Sequence, residues 1–273
     1  MNKIAFIGAG NMARAIIIGL VNSGFCASNI IVSNPSEPKR LALAEEFGIN
    51  HTADNTKAAE FATVIVLCVK PHFITDVCQQ ISEGGDIATK LFISVAAGTT
   101  VSQIQQALTN DNPESLPALV RVMPNTPSQL GLGMSGLFAS QQVNDKQKGV
   151  AEHLMSAVGK TIWLSSEAQI NDIIAVSGSA PAYFFLFMES MQKQAQLLGF
   201  SEQESRMLVQ QTALGAATMV EQSHEDISTL RANVTSKGGT THAAIEQFKH
   251  DGLDEMVRNA MNAAITRAEE MAK

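Results

Sequence analysis

Short runs of apolar, mostly β-branched residues recur from Lys3 to about Leu164, separated by stretches with helical spacing. Ile4–Ile7, Ile30–Ser33, Val64–Val69, Leu91–Val95 and Leu119–Val122 predict strands. Their unbroken apolar character predicts burial on both faces, as in a parallel sheet. Asn11–Ser23, Glu37–Phe47 and Thr100–Leu108 predict helices in a βαβ layout. Runs near Gly133–Ala139 and Thr161–Leu164 extend the sheet. After Ser166 the β pattern stops. Ala182–Leu198, Glu202–Gln222 and Gly252–Lys273 are rich in strong helix formers and predict an all-helical second half. The change falls at Leu164–Glu167, dividing the chain into 1–164 and 165–273. Ala182–Met188 is apolar all round, which predicts a helix either central to a core or sealed by a second subunit.

Composition narrows the function classes. The chain has 273 residues, 45% of them hydrophobic and 16% charged, with a net charge of −7. Its Lys and Arg residues are scattered singly, which excludes a nucleic-acid partner, since phosphate backbones are held by clustered positive charge. No uninterrupted apolar run approaches the roughly 20 residues of a membrane helix. The N-terminus enters a strand without a basic leader, so a cytoplasmic protein with no membrane partner is expected. Cys26, Cys68 and Cys78 show no CxxC spacing and the six histidines are dispersed. Buried, reduced thiols and no metal site are the expectation.

Candidate chemistry begins at KIAFIGAGNMARAI. Gly8-x-Gly10-x-x-Ala13 stands between a strand and a helix, the context of a Rossmann-type dinucleotide site. Gly8 permits the tight turn, Gly10 lets backbone N–H groups approach a pyrophosphate, and Ala13 keeps helix and strand close. The second strand ends in VSNPSEPKR, without the acid that usually binds the adenine-ribose hydroxyl of NAD. Ser33, Asn34, Ser36, Lys39 and Arg40 suit a 2′-phosphate, which favours NADPH over NADH; alternatively Ser36 only caps a helix. Cys68–Pro71 and Ser94–Gly98 follow buried strands and read as cofactor contacts on the nicotinamide side or as plain turns. Arg121–Pro127 is a rigid polar turn that either closes the crevice or leaves the sheet.

In the helical half, Val176–Phe185 puts Ser177, Gly178 and Ser179 ahead of Pro181 but has no Gly-x-Ser-x-Gly elbow, so a serine hydrolase is poorly supported. NVTSKGGTTHAAIEQF (233–248) places two glycines before a helix starting near Gly239 or Thr240. Its backbone donors and the hydroxyls of Ser236, Thr240 and Thr241 offer a carboxylate cradle; the other reading is a helix following a flexible turn.

GAGNMA, VKP, SVAAGTT, RVMPNTP, VSGSAPAY and SKGGTT occur in the order and spacing of the Δ1-pyrroline-5-carboxylate reductase family, which the chain resembles over nearly its whole length. The resemblance implies reduction of 1-pyrroline-5-carboxylate to L-proline by NADPH. It also implies a Rossmann-type doubly wound α/β domain and an all-helical dimerisation domain, with homodimers that assemble into decamers in some members. Cofactor contacts would fall on Ile7, Gly8, Ala9, Gly10, Asn11, Met12, Asn34, Ser36, Asn55, Val69, Lys70, Pro71, Val95, Ala96 and Ala97. The substrate carboxylate would fall on Ser236, Lys237, Gly238, Gly239 and Thr240, and the ring nitrogen on Thr241. Lys237 departs from the proline that many relatives carry there. His242 is the nearest conventional acid, but its next place on the helix points elsewhere. Two competing readings are a related dehydrogenase, which would present a lysine at Ser177–Ala182, and a nucleotide-sensing protein without turnover.

Overall fold

A computed structural model describes residues 2–83, 86–110 and 116–271. Contacts divide the chain into Met1–Ser179 with Ala264–Lys273, and Ala180–Ala263. The first unit therefore extends beyond Leu164–Glu167 and takes back the end of the last helix. Ile170 and Ala175, beyond the last strand, are buried.

The first unit contains an eight-stranded sheet of order β3-β2-β1-β4-β5-β6-β7-β8. Its strands are β1 (Ile4–Ile7), β2 (Ile30–Ser33), β3 (Asn50–Thr52), β4 (Val64–Leu67), β5 (Leu91–Ser94), β6 (Ala118–Met123), β7 (Gly133–Ala139) and β8 (Gly159–Trp163). The helices between them are α1 (Asn11–Asn22), α2 (Glu37–Phe47), α3 (Asn55–Phe61), α4 (Ile74–Ser82), α5 (Val101–Thr109) and α6 (Asp145–Ser156). Alternate residues of β1 feed two cores: Ile4 and Phe6 join α1 and α6 side chains, while Ala5 and Ile7 join those of α3, α4 and α5. Phe6 and Phe92, fully buried on opposite faces, each contribute about 1.5–3 kcal/mol. The apolar runs predicted this two-sided burial, whereas β3, with the sequence Asn-His-Thr, carries no such signal and exists by pairing with β2. β7 runs antiparallel to β6. The connection 124–132 holds only a 3-10 turn at Thr126–Leu130, too short for the crossover that parallel pairing needs.

α7 (Gln169–Ile173) continues through a π-turn at Ile174–Gly178 into α8 (Ala180–Leu197). α9 (Glu202–Gln222), α10 (Ile227–Asn233), α11 (Thr240–His250) and α12 (Leu253–Met271) complete the chain. The predicted last helix ends within the described residues at Met271; positions 272 and 273 lie outside them.

One expectation needs correction and one gains a qualification. Joined helically, Gln169–Leu197 is 29 residues long and contains an 18-residue stretch of mean hydropathy 1.3, long and apolar enough by length and composition to cross a membrane. Uninterrupted apolar strings miss it because polar residues punctuate the helix. Of the thiols, Cys26 is exposed on a surface turn and only Cys78 is fully buried.

Within the second unit Phe184, Phe185 and Leu186 are 62–68% exposed, and Met191, Met207, Leu214 and Met219 are exposed as well. The helix formers dictate the secondary structure there, but these apolar side chains are left exposed among the described residues of the second unit.

Candidate active site

The carboxyl ends of four neighbouring parallel strands carry most of the predicted cofactor residues, and backbone hydrogen bonds link these ends. Gly8 N donates to Ser33 O (2.8 Å), Cys68 N to Ile7 O (2.8 Å) and Val95 N to Leu67 O (3.2 Å). Gly8 has a φ of +109°, and a Cβ there would stand 2.7 Å from the Cys68 carbonyl oxygen. Glycine is thus required both by backbone conformation and by close approach. Ala13 is fully buried, as close helix–strand packing demands, while nothing lies within 4 Å of a Cβ built on Gly10. Gly10 opens α1 with no side-chain cap and no acid in the first turn. With no side-chain cap, no first-turn acid and room at Gly10, a pyrophosphate fits the start of this helix.

At the end of β2, the buried Ser33 hydroxyl donates to Asn55 Oδ1 (2.7 Å), and Asn55 Nδ2 donates to Gln80 Oε1 (2.9 Å). Asn34 Oδ1 accepts from Ser36 N (2.9 Å), and Arg40 holds the loop through Asn34 O (3.2 Å) and Pro35 O (3.3 Å). Ser36 occupies the N-cap position of α2, yet its hydroxyl makes no cap hydrogen bond. Ser36 thus does not cap α2 through its side chain, and the Arg40 guanidinium also pairs with Glu37 (3.5 Å). Lys39 is exposed, as are Lys70 and Pro71, while Val69 is half-buried. Ala96 is buried between the half-buried Val95 and Ala97, and its N–H donates to Ser94 Oγ (3.4 Å). Burial pushes the thiols of Cys68 and Cys78 up to about 12, leaving them protonated and unreactive near neutrality.

The second unit, by itself, holds the SKGGTT turn. Gly238 is left-handed (φ +75°), and a Cβ on Gly239 would meet Ser236 Oγ at 2.5 Å. Gly239 N donates to Ser236 O (3.0 Å), closing the turn, and Gly239 opens α11 without a side-chain cap or a first-turn acid. Ser236, Lys237, Thr240 and Thr241 are exposed. His242 lies along α11 toward Glu246, whose carboxyl is held low mainly by Lys249 and in smaller part by His242. By contrast α5, α6 and α9 all begin with complete capping boxes at Thr100, Asn144 and Ser201. Three helices that start at predicted binding motifs, α1, α2 and α11, leave their first-turn donors without such side-chain partners, whereas α3, which starts at Asn55, is capped by Asp54.

Two polar anchors lie in the Arg121–Pro127 stretch, and their partners are announced by no sequence pattern. Asn125, buried in the MPNTP turn, accepts from Met134 N (2.9 Å) and donates to Ser177 O (3.1 Å), which ties this turn to β7 and the π-turn. Arg121, 6% exposed, pairs with Glu167 (2.6 Å), which also accepts from Val101 N (2.7 Å). An arginine inside the apolar strand run Leu119–Val122 was the available signal for the second anchor.

A glycine-turn Rossmann sheet followed by a helical half defines the class, that of two-part dinucleotide-binding proteins. Residues 3–98 match the family model described as NADP oxidoreductase, coenzyme F420-dependent, and residues 167–271 the one described as pyrroline-5-carboxylate reductase dimerisation. The chain is 55% identical to a pyrroline-5-carboxylate reductase of Vibrio alginolyticus over 273 residues, covering 99% of this chain and 98% of that protein. Its fold is similar to that of a pyrroline-5-carboxylate reductase from Coxiella burnetii (TM-score 0.93, 42% identity, 100% and 99% of the two chains covered). It also resembles the Plasmodium falciparum pyrroline carboxylate reductase solved with NADP bound (TM-score 0.85, 27% identity, 100% and 98% covered). The chain belongs to the pyrroline-5-carboxylate reductase family.

Proposed function

We propose that this chain reduces the C=N bond of 1-pyrroline-5-carboxylate to give L-proline, with NADPH as reductant. The observation that carries the reading is the coincidence of the three uncapped helix starts with the family's cofactor and substrate motifs. NADPH, when bound, supplies the hydride. The turn Ile7–Met12 holds the pyrophosphate at the start of α1, and Asn34 and Ser36 hold the 2′-phosphate. Asn55 and the loops Val69–Pro71 and Val95–Ala97 complete the cofactor contacts. Ser236–Thr240 orient the substrate carboxylate with backbone donors, and the Thr241 hydroxyl engages the ring nitrogen. A cyclic iminium arrives already protonated, so orientation rather than a strong acid governs the rate, and His242 has no role as a proton donor.

The working unit is a homodimer, supported by the exposed apolar faces of α8 and α9 and by the dimerisation family match. A second copy, not lipid, covers the apolar helix Gln169–Leu197; assembly of dimers into a decamer and a cytoplasmic location belong to the same proposal. Sedimentation at micromolar concentration is expected to give a dimer or larger, and an active monomer would refute this part. Residues 1–164 bind the cofactor, and residues 165–273 serve substrate and dimer.

Adding pyrroline-5-carboxylate to chain and NADPH is expected to consume NADPH and form proline, with a lower kcat/KM for NADH. Bound NADPH without turnover would favour a nucleotide sensor, and equal kcat/KM for NADH would remove the 2′-phosphate assignment.

A further inference from the structure

The loop 95–100 follows β5, and its two ends are fixed differently. At its start, Val95 N and Ala96 N reach Leu67 O and Ser94 Oγ. In the middle, Gly98 (φ +74°) approaches Met271 O, which would stand 3.2 Å from a Cβ on that glycine. At its end, Thr100 caps Gln103 N through a capping box, but the N–H of Val101 is bonded from outside the helix, by Glu167 Oε1 (2.7 Å). The same oxygen receives Arg121 Nη1 (2.6 Å). Arg121 is the residue of β6 in register with Ser94, the last residue of β5.

One carboxylate oxygen thus joins the first turn of α5 to a buried guanidinium on the neighbouring strand. The pairing holds Glu167 in place, and Glu167 holds Val101. A surface ion pair would not fix a backbone in this way, because both partners would be free to move into water. Here Arg121 is 6% exposed and pairs with one carboxylate among the described residues, so a shift of Glu167 would leave a buried charge uncompensated there. α5 starts with a full capping box of its own, so its stability does not call for Glu167.

We propose that Arg121 and Glu167 are positioning residues for the reaction: they set the loop Val95–Ala97 at the depth at which it seats the nicotinamide end of the cofactor. This rests on the cofactor reading above. Neither residue touches the reacting atoms, and the effect passes through Val101 and Thr100 to the loop.

The test compares Glu167→Ala, which removes both bonds, with Glu167→Gln, which keeps an acceptor for Val101 N–H, and with Arg121→Lys. Amide hydrogen exchange of residues 95–101 is read on each variant with and without NADPH, and needs no turnover. In Glu167→Ala, exchange across 95–101 is expected to rise about tenfold or more while exchange in α9 is unchanged, with Glu167→Gln intermediate. In turnover, kcat is expected to fall about tenfold with the Kd for NADPH changed less than about threefold, as misplacement of a bound group predicts. The deuterium isotope effect from C4-labelled NADPH is expected to rise as hydride transfer becomes limiting. Unchanged exchange at 95–101 overturns the proposal, as does a lower Tm with kcat and isotope effect preserved in the folded protein. Absence of turnover in the unsubstituted chain would instead sink the functional reading, and the exchange result would still decide whether Glu167 holds the loop.

Discussion

The turn at Gly8–Met12 and the turn at Ser236–Thr241 pose the same local problem and are held in opposite ways. Each bends the backbone through a left-handed glycine and opens a helix with its first donors free of side-chain caps. The first is buried at its base: Gly8 is wedged against the Cys68 carbonyl, and β1 lies between β2 and β4 in the middle of a sheet. The second closes on itself, with Gly239 packed against Ser236 of its own loop and the flanking side chains exposed. A turn fixed by a core is ready before its ligand arrives. A turn fixed only by its own five or six residues has no such support among the described residues.

The contrast is sharpest under substitution. Gly8→Ala adds a Cβ at 2.7 Å from a buried carbonyl in a backbone conformation L-residues avoid. A loss of about 2–3 kcal/mol is expected by denaturant unfolding, together with loss of NADPH binding. Near-normal stability and binding would show that the core does not dictate this turn. Thr241→Ala should lower kcat about tenfold with cofactor affinity unchanged, the value of one hydrogen bond made in the transition state. A kcat equal to the parent's would remove Thr241 from the mechanism.

Gly239→Ala pushes mainly against the hydroxyl of Ser236, a side chain that can rotate away, with the Ser236 carbonyl oxygen next at 3.2 Å. Unfolding free energy is expected to change by less than about 1 kcal/mol, while KM for the pyrroline acid rises severalfold. A destabilisation matching that of Gly8→Ala would erase the distinction between the two turns. The smallest effect concerns thiols. Cys68, behind the first turn, is pushed up to about 12 from the ordinary 9.0, so the folded state retains its proton when the unfolded chain would lose it. Its contribution to stability is held below pH 9 and lost as pH rises toward 12. Alkylation at pH 8 should therefore label Cys26, which is exposed and has a lowered pKa through Ser28, and spare Cys68 and Cys78 until the chain unfolds. Rapid labelling of Cys68 would mean that the base of the first turn opens.

The same difference explains what was legible in the sequence. β1, β2, β4 and β5 announce themselves because burial on both faces demands unbroken apolar runs, and GAGNMA acquires meaning from the strand before it and the helix after it. β3 is invisible since its three polar residues are ordered by a neighbour rather than by their own pattern. The SKGGTT turn is legible as a helix start, but its local chemistry leaves a carboxylate cradle and a flexible turn level until the family motifs are added. Arg121–Glu167 joins residues 46 apart, a pairing that no local periodicity encodes. Lys237 makes no hydrogen bond or ion pair among the described residues, and nothing in the structure explains it in place of proline.

The most direct measurement follows the hydride itself. With NADPH carrying deuterium at both C4 positions and pyrroline-5-carboxylate as substrate, proline is expected to appear with one deuterium on the ring carbon of the former C=N bond. Proline formed without that label, or bound NADPH that delivers no deuterium to the substrate, would contradict the proposed reduction.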